Sequence, residues 1–292
     1  MLLAGAAVYL YPQTAAWFSQ REQARVIEKA QGVVAENEAK RPNPYVVELE
    51  RAREYNDALA SGVTLEANAN VPKGSGALPD GLDYSLLLAD EEGVMGRLYY
   101  STLDIDLPIY HGTSEETLLK GIGHLEGTSL PVGGIGQRSV LTAHRGLPES
   151  TLFTNLDQAR VGDIFTIAVL DQVISYRVVD TRVIEPSESE VLFADPERDL
   201  VTLITCTPLG INTHRIVVTG ERIIPTPAGE VAQAEQPSEL PHFPWWAVIF
   251  GVVFLLVTMY VWRSGYVHPR RSESDKTVLA DASTSATHFE GE

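Results

Sequence analysis

Cys206 is the only cysteine among 292 residues, and a thiol is an intrinsically strong nucleophile whose reactivity depends on its surroundings. It ends the run LVTLITC. There Leu200, Thr202, Ile204 and Cys206 share one side of a period-two alternation and Val201, Leu203 and Thr205 the other, which with this β-branched content reads as a strand. Thr207 and Pro208 stop the run, Gly210 and Asn212 supply turn chemistry, and a second β-branched run opens at Arg215. Pairing of the two as a hairpin would set Cys206 beside Arg215, on strands about 4.8 Å apart. Taken alone, a cysteine ending an apolar strand reads as a small core residue, and an arginine opening one as a solvated edge charge. A cysteine nucleophile also needs a proton shuttle and a group that holds an oxyanion. His111, His124, His144, His214 and His242 are the candidates ahead of the apolar C-terminal stretch, and spacing does not choose among them. His144 ends a strand before the loop Arg145-Gly146-Leu147-Pro148, a common setting for site residues.

The elements that must carry these residues are mostly short strands. Two strand-like runs lie in 94–110, and others at 139–143, 164–169, 173–184, 201–206 and 215–223. Some seven strands and few long helices point to a mainly β barrel or sandwich. Ahead of them, Ala-, Glu- and Gln-rich sequence from about Gln20 to Lys40 predicts a helix broken at Pro42-Asn43-Pro44. A second helix is expected from Val46 to Ala60, with Leu49, Ala52, Tyr55 and Leu59 at helical spacing. Residues 62–83 have no period and read as a long loop. Thr113 and Glu116 form a capping box for a short helix ending at Gly121. The six glycines from Gly121 to Gly136 read as turns, since none opens the strand-then-helix setting of a nucleotide fingerprint.

Residues 243–262 run for 20 positions without a charge, about the 30 Å of a bilayer's hydrocarbon core when helical, with aromatic residues at both ends. Arg263, Arg270 and Arg271 follow, so the positive-inside rule puts 263–292 in the cytoplasm and the residues before 243 outside a plasma membrane. The first 18 residues are uncharged but interrupted by Pro12, and we expect them to be the remainder of a first transmembrane helix whose start is missing. One cysteine allows no internal disulfide, so an exported chain of this kind would carry a thiol open to reaction. Between the apolar ends, residues 19–242 hold 18 basic and 34 acidic residues, which argues against nucleic acid as a partner.

With these residues in view the chain resembles a known family. TLITC at 202–206 with NTHR ending at Arg215, and LTAHRGLP around His144, are similar to the cysteine, arginine and histidine segments of the sortases. The stretch 108–134 together with TCTPLGINTHR resembles their class C branch, which polymerises pilin subunits in Gram-positive bacteria. The resemblance implies a closed eight-stranded β-barrel with an N-terminal helical segment and a C-terminal transmembrane helix, and with Cys206, His144 and Arg215 at one rim. Cys206 would attack the Thr-Gly carbonyl of an LPXTG-type sorting signal, His144 would act as acid and then base, and Arg215 would hold the oxyanion or substrate backbone. LPXTG-bearing pilin or surface proteins are the implied partners, a lysine amine of the next pilin is the acceptor, and no cofactor or metal is required.

Two departures from the class C pattern stand out. Ala143 replaces a common glycine before the histidine. The lid motif, Asp-Pro-aromatic in many relatives, corresponds here to LEANANVP, where Glu66 could face Arg215 but no aromatic follows. Asp80 and Tyr84 form an alternative lid pair, and we expect a degraded or open lid. The resulting layout is 1–18 apolar segment, 19–62 helical leader, 63–92 lid-like region, 93–224 catalytic barrel, 225–242 extended tether, 243–262 membrane helix and 263–292 tail. The alternatives are a sortase that anchors proteins to peptidoglycan, an L,D-transpeptidase, whose SHGC-type cysteine motif is absent, and a non-catalytic membrane-tethered scaffold.

Overall fold

The computed structural model describes residues 1–59, 63–64, 73–74, 83–238, 241 and 243–265. Its elements run α1 (Leu2–Lys40), α2 (Val46–Ala58), the two-residue strands β1 (Val63–Thr64) and β2 (Lys73–Gly74), β3 (Val94–Tyr100) and β4 (Ile105–His111). There follow α3 (Glu115–Lys120), β5 (Ile122–His124), β6 (Arg138–Thr142), β7 (Ile164–Val169), β8 (Gln172–Ile184), β9 (Leu200–Thr207), β10 (His214–Arg222), α4 (Ala228–Ala234) and α5 (Trp245–Gly265). Eight strands close into a barrel in the order β10-β8-β7-β3-β4-β5-β6-β9, with β9 returning to β10. The barrel is mainly antiparallel, but β4 with β5 and β6 with β9 run parallel. Alternation along the strands fills its interior with Leu98, Ile109, Phe165, Ile167, Tyr176, Leu203 and Val218, all at most 1% exposed. This is the mainly β architecture read from the sequence.

The described residues form two compact units, one within Leu10–Trp246 around the barrel and a second of Met1–Tyr9 with 247–265. α5 is long and apolar enough to cross a membrane.

Four local expectations differ from the structure. Pro12 lies inside α1 and does not end it. Proline removes one N–H from the ladder, and the Ala- and Gln-rich turns on either side outweigh that single loss. The cap of α3 is Ser114, whose Oγ accepts from the Thr117 N–H at 3.2 Å, and not Thr113. The turn-like glycines hide a strand, because Gly123 lies in β5. A Cβ there would collide with the Gly112 carbonyl oxygen, so close backbone approach and not turn formation demands glycine.

The fourth difference is the segment after the barrel, which is not an extended tether but contains α4 and is docked. Arg97, on β3 and 5% exposed, pairs with Asp106 of β4 through Nε (2.5 Å) and Nη2 (2.8 Å). Its Nη1 donates to the carbonyls of Ala234 (3.1 Å) and Gln236 (2.9 Å) at the end of α4, where a cation meets the negative end of the helix. Ser238 Oγ donates to Asp106 at 2.6 Å, and Gln31 of α1 to the Ala234 carbonyl at 2.9 Å.

Candidate active site

Strand register brings the three sequence candidates to one rim. β9 and β10 pair antiparallel with Cys206 opposite Arg215, as the hairpin reading required. β6 lies parallel on the other side of β9, with Thr142 opposite Ile204. The backbone carries that pairing further, since the Ala143 N–H donates to the Ile204 carbonyl at 3.3 Å and Thr205 Oγ1 to the Ala143 carbonyl at 2.8 Å. Continuing the register by two residues aligns His144 with Cys206. Strands β9 and β10 and the segment leaving β6 therefore bring a thiol, a guanidinium and an imidazole to one end of the barrel.

Cys206 is 9% and Arg215 2% exposed. Burial pushes the Cys206 thiol up, because the thiolate is poorly solvated there, and the Arg215 charge opposes this. The Arg215 guanidinium is aimed by its own hairpin, with Nη1 donating to the carbonyls of Asn212 (2.9 Å) and His214 (3.0 Å). Nε2 of His144 lies 3.3 Å from a carboxylate oxygen of Glu115 in the first turn of α3, although the two are not aligned as a hydrogen bond. The His144 carbonyl accepts from the Phe153 N–H at 3.1 Å. Such a site can perform acyl transfer through a thioester: the sulfur attacks, the imidazole moves a proton in each half-reaction, and the guanidinium faces developing negative charge.

The remaining histidines are placed elsewhere. His111 and His124 are cross-strand partners on β4 and β5. The hydroxyl of Tyr84 bonds His124 Nδ1 at 2.8 Å, donates to the His124 carbonyl at 3.1 Å and accepts from the Gly112 N–H at 3.0 Å. Tyr84 is thus an anchor packed on β4 and β5, 5% exposed, and not the aromatic half of a lid pair. Burial drives His124 down to about 4 and also lowers His111. His214 bonds its neighbour Thr213 at 2.9 Å. Glu66, Asp80 and His242 lie outside the described residues.

Sequence reasoning passed over Glu115 and Arg145. Glu115 sits beside the glutamate of the expected capping box, and Arg145 directly follows His144 in the loop sequence Arg145-Gly146-Leu147-Pro148. Adjacency to a candidate histidine was the available signal for Arg145.

Comparison with known proteins agrees with this layout. A family model described as the sortase domain matches residues 98–223. Sortase A of Listeria monocytogenes is 32% identical over 133 residues, a match that spans 45% of this chain and 58% of that protein. Among solved structures, sortase C-1 from Actinomyces oris is 45% identical with a TM-score of 0.55, the match covering 61% of this chain and 97% of that one. Sortase C1 from Streptococcus agalactiae is 40% identical with a TM-score of 0.59, covering 68% and 98%. The strand order, the rim that gathers Cys206, His144 and Arg215, and these likenesses along nearly the whole length of solved class C enzymes show that the chain belongs to the sortase family.

Proposed function

We propose that this sortase is a membrane-anchored cysteine transpeptidase that cleaves an LPXTG-type sorting signal between Thr and Gly and joins the acyl group to a lysine amine of a pilin subunit, so polymerising pili. The observation that carries this reading is the register setting Cys206 opposite Arg215, with His144 two residues beyond the end of the strand that flanks β9. Cys206 Sγ attacks the threonine carbonyl as its proton passes to His144, which fits a thiol that burial keeps protonated at rest. His144 then gives that proton to the departing glycine amine, leaving a thioester on Cys206. The lysine amine loses a proton to His144 as it attacks, and the thiol is regenerated. Arg215 stabilises the oxyanion in both halves. The similar sortase C of Streptococcus pneumoniae, whose structure is described in terms of pilin substrate specificity, supports the pilin acceptor. With α5 as the anchor and Arg263 after its apolar stretch, the barrel faces the outside of the cell and 263–292 the cytoplasm.

A second reading, attachment of proteins to a peptidoglycan amine, is favoured by the curated relatives named sortase A. The test supplies the full chain with an LPXTG peptide, a lysine-bearing pilin segment and a peptidoglycan stem peptide, and identifies the products by mass. A Thr–Lys isopeptide is expected, and Cys206→Ala should abolish it. Product on the stem peptide alone selects the second reading, and unchanged turnover by Cys206→Ala rejects both.

A further inference from the structure

We propose that Arg145 is a positioning residue that fixes His144 relative to Cys206; the inference rests on the roles given to those two residues above. Arg145 follows His144 where the chain has left the β6 ladder, and its side chain is only 9% exposed. Its Nη1 donates to Thr207 Oγ1 at 3.1 Å, its Nε to the Thr154 carbonyl at 3.1 Å, and its Nη2 lies 2.6 Å from the Asp157 carboxylate. Thr207 is the residue after Cys206. One planar side chain therefore ties the residue following the candidate base to the residue following the candidate nucleophile, and ties both to the loop at 154–157.

The backbone explains why a clasp is needed there. The last main-chain link from the His144 segment to β9 is at Ala143, and beyond it the chain turns away through Gly146 at φ +74°. His144 itself is held through its carbonyl by Phe153, and Gly146 through its N–H by Thr154 Oγ1 at 3.1 Å. Both partners belong to the loop that Arg145 secures. Asp157 neutralises the Arg145 charge locally, so the side chain's contribution is geometric and differs from that of Arg215. A guanidinium suits the task, since its rigid fork meets three acceptors at once, which an ammonium on a flexible stem does not. Misplacing a reacting group by about 1 Å can cost on the order of a hundredfold in rate.

The test uses the full chain with Arg145→Lys, Thr207→Val and Thr207→Ser, each checked for folding by circular dichroism and melting temperature. Arg145→Lys and Thr207→Val should lower kcat for the sorting-signal peptide about tenfold or more, with KM within about twofold, and Thr207→Ser, which keeps the acceptor oxygen, should recover most of the loss. The imidazole Hε1 resonance of His144 should be single in the parent and broadened or split in Arg145→Lys and Thr207→Val. A parent without transpeptidase activity would reject the proposed function and leave the resonance to decide the positioning claim. Wild-type kcat in Thr207→Val, equal losses in Thr207→Val and Thr207→Ser, or an unchanged His144 resonance would each overturn it.

Discussion

At Cys206 two influences of opposite sign meet: burial, which favours the neutral thiol, and the charge of Arg215, which favours the thiolate. Removing the charge leaves burial unopposed. Arg215→Gln should therefore move the pH profile of Cys206 alkylation by iodoacetamide upward, slowing it at pH 7 by about threefold or more, since each unit changes the thiolate fraction about tenfold. A profile that stays in place or moves down contradicts the assigned contact. The Cys206–Arg215 pairing was legible in the sequence because it is local, a hairpin whose two runs and turn residues stand next to each other. His144 was not legible from spacing. Its proximity depends on the parallel pairing of β6 with β9, strands some 60 residues apart that no local pattern joins, and only likeness to a family selected it from five histidines.

Among the elements, β4 and β5 show how a paired strand can be missed and what its histidines then do. β5 has three residues, with glycine at its centre, so neither alternation nor β-branched content marks it. Its His124 is fully buried against Tyr84 and the Ser129 carbonyl, the latter 2.9 Å from Nε2. The unfolded chain takes up this proton near pH 6.5, the folded one only near 4, so the contribution of His124 to stability is intact above about 6.5 and is lost as pH falls toward 4. The loss amounts to at most about 3 kcal/mol for a shift of this size. Thermal unfolding followed from pH 7 to 4 should show a fall in melting temperature that is smaller in His124→Gln. Equal slopes in parent and variant would show that the destabilising proton binds elsewhere. The helices were read better: α2 buries Leu49, Ala52 and Tyr55 as its spacing required, and its fourth inward residue is Asn56, whose Nδ2 donates to the Leu130 carbonyl at 3.0 Å while its Oδ1 accepts from the Leu130 N–H at 2.6 Å. A polar residue with that task carries no apolar signature.

In the larger unit, the barrel and the segment that leaves it are joined by the Arg97 clasp. Arg97→Met would leave Asp106 without its ion-pair partner at a mostly buried site and remove two of the bonds that hold the end of α4, at a cost of about 3 kcal/mol or more. The expected signature is faster limited proteolysis between 228 and 238 together with a lower melting temperature. Unchanged cleavage would mean that α4 is held by other contacts. The sequence concealed this arrangement because four prolines punctuate 225–242, and the residue that docks the segment lies more than 130 positions away on β3. Closure of the barrel carries a separate consequence. β9 is bonded on both sides, to β6 and to β10, and among the described barrel strands the pairing returns to its start without an open edge. A peptide reaching Cys206 then has no exposed ladder to extend and cannot be read as an added strand, the mode in which main-chain bonds supply most of the grip. Its recognition falls to the connections around the rim, such as 185–199 and 208–213. Those connections can lengthen, shorten or exchange residues while the staves beneath them stay in register, so preference for one substrate over another can drift without unsettling the chemistry.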